Sequence, residues 1–212
     1  GRVLDEVFQA PIPAERLAQA RVAGEILGEQ VWRQFPWVGC SHGDGGFAHA
    51  MPTTTDPVEG ILNRTWRPAL SVTGAAGFPG IDSAGNVLRP KTTFKLSLRL
   101  PPTVDGGRAT AQLRALLEAD PPYNARVTFD ADCGATGWSA PQTAPWLVRA
   151  ADEASHAAFG RAAAWMGEGG TIPFMNMLGE KFPRAQFLIT GVLGPKSNAH
   201  GPNEFLHIPY VK

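Results

Sequence analysis

The 212 residues carry 19 Lys and Arg against 19 Asp and Glu, so the formal net charge is zero, while 43% are hydrophobic. A neutral chain lacks the basic patch that attracts nucleic acid or an anionic bilayer, so we expect no nucleic-acid and no membrane partner. No apolar run approaches the roughly 20 residues of a bilayer span. Cys40 and Cys133 lie far apart and outside any CxxC motif, which favours free thiols and a cytoplasmic location.

The N-terminal region, 1–63, predicts one helix and a long loop. The chain begins Gly-Arg-Val-Leu-Asp-Glu, with neither an initiating Met nor a signal-like apolar stretch, so we expect it to be cut from a longer protein. Apolar residues at three- and four-residue steps predict a helix over 13–34. Residues 35–60 show no period and predict an irregular loop that packs on the next domain.

The second region, 64–135, predicts the later part of a split βαβ unit. Strands are expected at 66–73 and 92–100, a helix at 107–119 and a strand at 125–131. The second strand alternates apolar Phe94, Leu96, Leu98 and Leu100 with polar Lys95, Ser97 and Arg99. This order is that of an incomplete ferredoxin-like domain, whose opening strand and helix would precede Gly1.

The third region, 136–212, predicts the end of an α/β domain, so the fold class is α/β in the broad sense that includes α+β. Helices are expected over 143–164 and 172–181. Residues 186–193 are nearly all apolar, as in a strand that is buried on both faces of a mixed or parallel sheet. A closing helix is expected over 203–212.

One histidine, His200, follows this predicted strand in a loop rich in glycine and proline. Asn203 is placed to cap the next helix, and Glu204 falls in the first turn of that helix. A histidine on a loop after a core strand suits metal binding or proton transfer. The alternative is a surface histidine without a role, because one histidine does not make a metal site.

Two further features could bind a carboxylate. Gly170 and Thr171, just before a predicted helix, would expose backbone N–H groups and a hydroxyl, although Thr171 could equally be an ordinary helix cap. Arg99 lies on the polar side of its strand and could pair with a carboxylate through two hydrogen bonds. The alternative for Arg99 is a solvated strand residue.

Together these motifs resemble a family of zinc metallopeptidases that includes carnosinase-type dipeptidases, aminoacylases, glutamate carboxypeptidase and succinyl-diaminopimelate desuccinylase. The resemblance covers about residues 60–212 and rests on Asn198-Ala-His200-Gly-Pro-Asn203-Glu204, the Gly-Gly-Thr-Ile-Pro turn at 169–173, and the strand at 94–102. The Trp-Arg-Pro-Ala-Leu-Ser-Val-Thr-Gly stretch at 66–74 is similar to a lid strand of that family. The resemblance implies a catalytic domain with two zinc ions and an inserted, ferredoxin-like lid that often dimerises.

By this resemblance, His200 is the last zinc ligand, and Asn203 and Glu204 order its loop. Arg99 holds the substrate carboxylate, and Gly170 and Thr171 bind the same end of the substrate. The metal is expected to be zinc, with manganese or cobalt left open. The substrate is expected to be a small peptide or an N-acyl amino acid, and the assembly a homodimer.

Other parts of the family's active site are missing from the sequence. The family takes a first ligand from a His-x-Asp motif, a bridging ligand from an Asp and a general base from a Glu-Glu pair. This chain has no Glu-Glu pair. We do not assign the single His42-Gly-Asp44 to that motif, because it lies in the predicted loop and follows no buried strand. We expect the C-terminal part of a peptidase or amidohydrolase, with the chain alone inactive; the alternative is a non-enzymatic lid or dimerisation fragment.

Overall fold

The structure, a computed structural model, describes residues 7–28, 53–132, 134–168, 172–192 and 197–211. The chain divides into two compact units that each draw on separate stretches of sequence. The first unit comprises Gly1–Pro13, Leu62–Ser139 and Glu168–Met177, and the second comprises Ala14–Ile61, Ala140–Gly167 and Leu178–Lys212. The division at residues 63 and 135 stays a prediction.

The described elements mix helix and strand, as an α+β chain does. The helices are α1 (Ala14–Leu27), α2 (Pro57–Thr65), α3 (Gly106–Glu118), α4 (Pro145–Phe159), α5 (Pro173–Lys181) and α6 (Ile208–Val211). The strands are β1 (Ala69–Ala76) and β2 (Thr93–Arg99). Among the described helices, none has the length and apolarity that a membrane crossing requires.

Helix α2 lies partly in the region for which the sequence predicted a loop. Asp56 caps it, because the Asp56 Oδ1 atom accepts the Val58 N–H at 2.8 Å, and Pro57 occupies the first helical position. The Asp-Pro pair is a helix-start signal in the sequence. It did not lead to a helix prediction, because residues 35–60 show no helical period. Residues 35–52 of the predicted loop, with Cys40 and the His42-Gly-Asp44 motif, lie outside the described residues, as does Cys133.

Two predicted strands do not pair with any described strand. In the segment 125–131, the Phe129 N–H donates to the Glu118 carboxylate at 2.6 Å instead of to a neighbouring strand. In the segment 186–192, the Val192 carbonyl accepts the His207 N–H at 3.3 Å without forming a sheet. The strand predictions for these segments are therefore wrong, and the described sheet has two strands.

The predicted closing helix is also much shorter than expected. Asn203 has a φ of 59°, in the left-handed region, whereas an N-cap residue takes extended backbone angles. The helix begins only at Ile208. The prediction that Asn203 caps a helix is therefore wrong, and Glu204 lies in a loop.

The two strands form an antiparallel hairpin in which Ala69 faces Arg99. A bulge lies between Val72 and Gly74, where the register shifts by one residue. Before the bulge, Leu70 faces Leu98 and Val72 faces Leu96. Leu96 and Leu98 are half-buried as predicted, whereas Leu70 and Val72 remain 56% and 61% exposed.

A small core fixes β2 against α3 in the first unit. Phe8 is fully buried and clusters with Val104 and Ala109, which are 8% and 2% exposed. Leu98 and Leu100 pack against this cluster from either side of Arg99. The backbone of Arg99 is therefore held between two anchored neighbours.

In the second unit, α1 packs closely on the start of α2. A Cβ atom at Gly24 would lie 2.9 Å from Val58 Cγ2, so the helices approach at a glycine. Ala20 and Ala23 on the same helix are buried. The Arg16 guanidinium donates to the Ala140 carbonyl at 2.6 Å, which ties α1 to the segment that precedes α4.

The connector between β1 and β2 turns back at Gly77, a position that requires a glycine. Gly77 has a φ of 92°, and a Cβ atom there would collide with the Lys91 carbonyl. Beyond this crossing, the Phe78 ring lies 6.2 Å from the Phe94 ring and 4.6 Å from the Arg89 guanidinium carbon. The close crossing of the chain at Gly77 thus sets the end of the hairpin.

We expect Gly77→Ala to lower the free energy of unfolding by about 1–3 kcal/mol, because the methyl group meets both a steric clash and a left-handed backbone. Gly85→Ala is the matched control: nothing lies within 4 Å of its Cβ position. In the control, the change should stay within about 1 kcal/mol. Urea unfolding of both variants measures this, and equal losses would contradict the close crossing.

Candidate functional site

The loop that carries His200 is closed by its own hydrogen bonds in the second unit. The Phe205 N–H donates to the Ser197 carbonyl at 3.2 Å and so joins the two ends of the loop. Ser197 is buried, at 6% exposed. Within the loop, the Gly201 N–H donates to the Asn198 carbonyl at 2.8 Å and closes a β-turn around His200.

His200 occupies the third position of this turn and is exposed. Its φ is 60°, and Asn198 and Asn203 also lie in the left-handed region, at 56° and 59°. This conformation costs about 1–2 kcal/mol per residue, and Asn and His adopt it more readily than most residues do. A loop with three such residues persists only when surrounding contacts impose it, and such strain is typical of functional sites.

Glu204 supplies one of those contacts. Its Oε2 atom accepts the backbone N–H of His200 at 3.1 Å. This bond joins His200 to Glu204 within a loop that also contains Asn203. Their roles in metal binding stay predictions.

Arg99 lies in the first unit, at the end of β2 opposite Ala69, and is exposed. It shares the polar side of the strand with Lys95 and Ser97, as the alternation predicted. Gly170 and Thr171 lie outside the described residues, directly before α5 begins at Pro173. The role of all three in carboxylate binding stays a prediction.

The described residues do not by themselves fit a metal ion. Within the described ranges, no group of three or more His, Cys, Asp or Glu side chains comes together. A catalytic zinc is normally held by three protein ligands. The Glu204 contact is to a backbone N–H, so the loop offers one imidazole, that of His200, and an incomplete ligand set.

Sequence reasoning missed two residues of this loop, Asn198 and Gly201. The Asn198 side chain donates from Nδ2 to the Pro202 carbonyl at 2.6 Å. Its carboxamide lies directly over the Cα of Gly201, where a Cβ would be 2.6 Å from Nδ2. The signal was an Asn followed by a Gly three residues later, because these residues are favoured at the first and fourth positions of common β-turns.

The comparisons with known proteins point to a hydrolase. The chain is 26% identical over 138 residues to the cysteinylglycine-S-conjugate dipeptidase of Corynebacterium striatum, a match that covers 65% of this chain and 30% of the dipeptidase. No family model matches the sequence. The chain is thus similar to a peptidase of the dipeptidase class and matches under a third of that relative's length.

We expect Glu204→Ala to speed hydrogen exchange of the His200 amide about tenfold, because one hydrogen bond to a charged acceptor is lost. Glu204→Gln keeps an acceptor oxygen and should retain most of the protection. Glu153→Ala, at an exposed glutamate on α4, is the control. Exchange measured by NMR that is unchanged in Glu204→Ala would contradict the contact.

Proposed function

We propose that this chain is the C-terminal part of a metal-dependent dipeptidase or related amidohydrolase. The observation that carries the proposal is the likeness to a dipeptidase over 65% of the chain. The reaction is cleavage of a peptide or N-acyl amide bond next to a free carboxylate. The relative's name makes cysteinylglycine S-conjugates the first substrates to test.

In this proposal His200 supplies one metal ligand, with zinc as the metal and manganese or cobalt as substitutes. Its exposed position in a hydrogen-bonded loop supports that role, because ligands on a fixed backbone lose little freedom when they bind. Glu204 and Asn203 order the loop around it. The remaining ligands and the general base belong outside the described residues.

Recognition of the substrate carboxylate is assigned to Arg99 together with Gly170 and Thr171. A guanidinium pairs with a carboxylate through two parallel hydrogen bonds, which fixes both position and orientation. The packing of Leu98 and Leu100 in the core gives Arg99 a rigid base. This rigidity suits a residue that positions a small substrate.

The test is hydrolysis by the complete gene product, assayed with a cysteinylglycine S-conjugate and with an N-acetyl amino acid in separate reactions. We expect His200→Ala to lower kcat/KM by at least about 100-fold. Loss of a residue that only hydrogen-bonds to a metal ligand costs about 10–100-fold in activity, and loss of the ligand itself should cost more. His156→Ala, at an exposed histidine on α4, is the matched control and should retain full activity.

The same assay separates the parts of the proposal. Arg99→Lys should raise KM more than it lowers kcat, because an ammonium pairs with a carboxylate less specifically. The 212-residue chain alone should turn over neither substrate. Activity of that chain would contradict the proposal that it is only part of the enzyme, and equal activity of the His200→Ala and His156→Ala variants would contradict the metal-ligand role.

A second candidate function, a lid or dimerisation module, is favoured by the β1–β2 hairpin. Neither strand pairs with a further described strand, and Leu70 and Val72 are more than half exposed. Two-stranded sheets are marginal in water, and open apolar strand edges pair with other chains. The partner in this proposal is a second copy of the chain, and such a homodimer is compatible with the enzymatic role.

We expect the 212-residue chain to be a dimer in light scattering at micromolar concentration. Val72→Lys should shift it to monomer, because a charge on an edge strand opposes pairing. Val87→Lys is the control, at a residue that is 72% exposed in the connector instead of on the strand. A monomeric wild-type chain would rule out this assembly.

A further inference from the structure

The Asn198 side chain crosses the turn that carries His200. Its Nδ2 atom donates to the Pro202 carbonyl at 2.6 Å, while the main-chain carbonyl of Asn198 accepts the Gly201 N–H at 2.8 Å. The two bonds end at Gly201 and Pro202, the residues that follow His200. One main-chain and one side-chain hydrogen bond therefore join Asn198 to the two residues after His200, and His200 lies inside the turn that these bonds close.

Gly201 is the counterpart of this side chain. A Cβ atom built at Gly201 would lie 2.6 Å from Nδ2 and 2.7 Å from Oδ1 of Asn198, closer than real Cβ contacts come. Gly201 does not have a left-handed φ, in contrast to Gly28, Gly77 and Gly160. A glycine is needed here because the carboxamide lies against it.

We infer that Asn198 and Gly201 are positioning residues that hold His200 in its left-handed conformation. A histidine adopts a φ of 60° more readily than most residues but still at a cost, so the conformation depends on the contacts that span His200. The direction of the imidazole follows from this φ, because a change to an ordinary negative φ would carry the side chain to another side of the loop. The inference rests on the proposed role of His200.

Asn198 controls this conformation more directly than Glu204 does. The Glu204 carboxylate contacts the His200 N–H at 3.1 Å from a longer side chain, and Glu204 and Asn198 are both exposed. The Asn198 side chain is shorter than that of Glu204, and its bond to the Pro202 carbonyl is 2.6 Å long. Gly201, which lacks a Cβ atom, leaves room for the Asn198 carboxamide. Loss of the Nδ2 donor should therefore release the turn even when Glu204 is intact.

The experiment measures the φ of His200 by NMR, from its ³J(HN–Hα) coupling and its ¹³Cα and ¹³Cβ shifts, in the 212-residue chain. Asn198→Asp is the decisive variant, because it keeps the size of the side chain and removes the Nδ2 donor. We expect the left-handed signature to be lost in Asn198→Asp, Asn198→Ala and Gly201→Ala. The double variant Asn198→Ala/Gly201→Ala removes the clash and should still lack the signature. Asn124→Ala, at another asparagine with a left-handed φ of 56°, should leave His200 unchanged.

The second readout is kinetic, in the complete gene product. Asn198→Asp should lower kcat by about 10–100-fold and leave KM nearly unchanged, with the thermal midpoint within a few degrees of the wild type. A merely structural role would move stability and KM as well.

The two readouts distinguish the possible failures. A left-handed His200 in Asn198→Asp would overturn the inference whatever the activity. Loss of that conformation with unchanged kcat would also overturn it, since the turn would then not matter for the reaction. A wild-type gene product without peptidase activity would refute the proposed function, and the NMR result would still decide whether Asn198 positions His200.

Discussion

Burial of Phe8 against Val104 and Ala109 is the contact on which the first unit depends. A two-stranded hairpin has too little apolar surface to be stable alone, and this cluster joins β2 to α3 through Leu98 and Leu100. The start of α3 also lies close to residue 135, since a Cβ at Gly106 would lie 2.6 Å from the Ala135 carbonyl carbon. This packing fixes the backbone of Arg99, which lies between Leu98 and Leu100.

The His200 loop is stabilised in a different way. Its hydrogen bonds join residues within 197–205, and the loop obtains its shape from turn chemistry rather than from a hydrophobic core. The cost of the left-handed residues is offset by the bonds that Asn198 and Glu204 make. Two candidate functional parts of the chain are thus positioned by two separate mechanisms, each inside its own unit.

Much apolar surface in the described residues faces solvent. In the second unit, Leu188 and Ile189 are 58% and 55% exposed. In the first unit, Phe174 in the first turn of α5 is 58% exposed. Stretches of this kind normally lie at an interface.

The sequence by itself determined the local features. Apolar spacing placed α1, α3, α4 and α5 within a few residues of their observed bounds, apart from the ends of α1 and α4, and alternation placed β2 with its half-buried leucines. These predictions hold because hydrophobic periodicity and turn-forming residues act over only a few positions.

Only the tertiary structure decided the rest. An apolar run such as 186–192 becomes a strand only when another strand pairs with it, and no described strand does. Asn203 looked like a helix cap, yet it takes a left-handed φ because the bonds made by Asn198 and Glu204 determine the path of the loop. The interlocking of Asn198 with Gly201 was likewise not predictable from spacing, since it depends on where one carboxamide lies relative to one Cα atom. Strand pairing, backbone angle and close contact are set by partners in space, and a single sequence does not specify those partners.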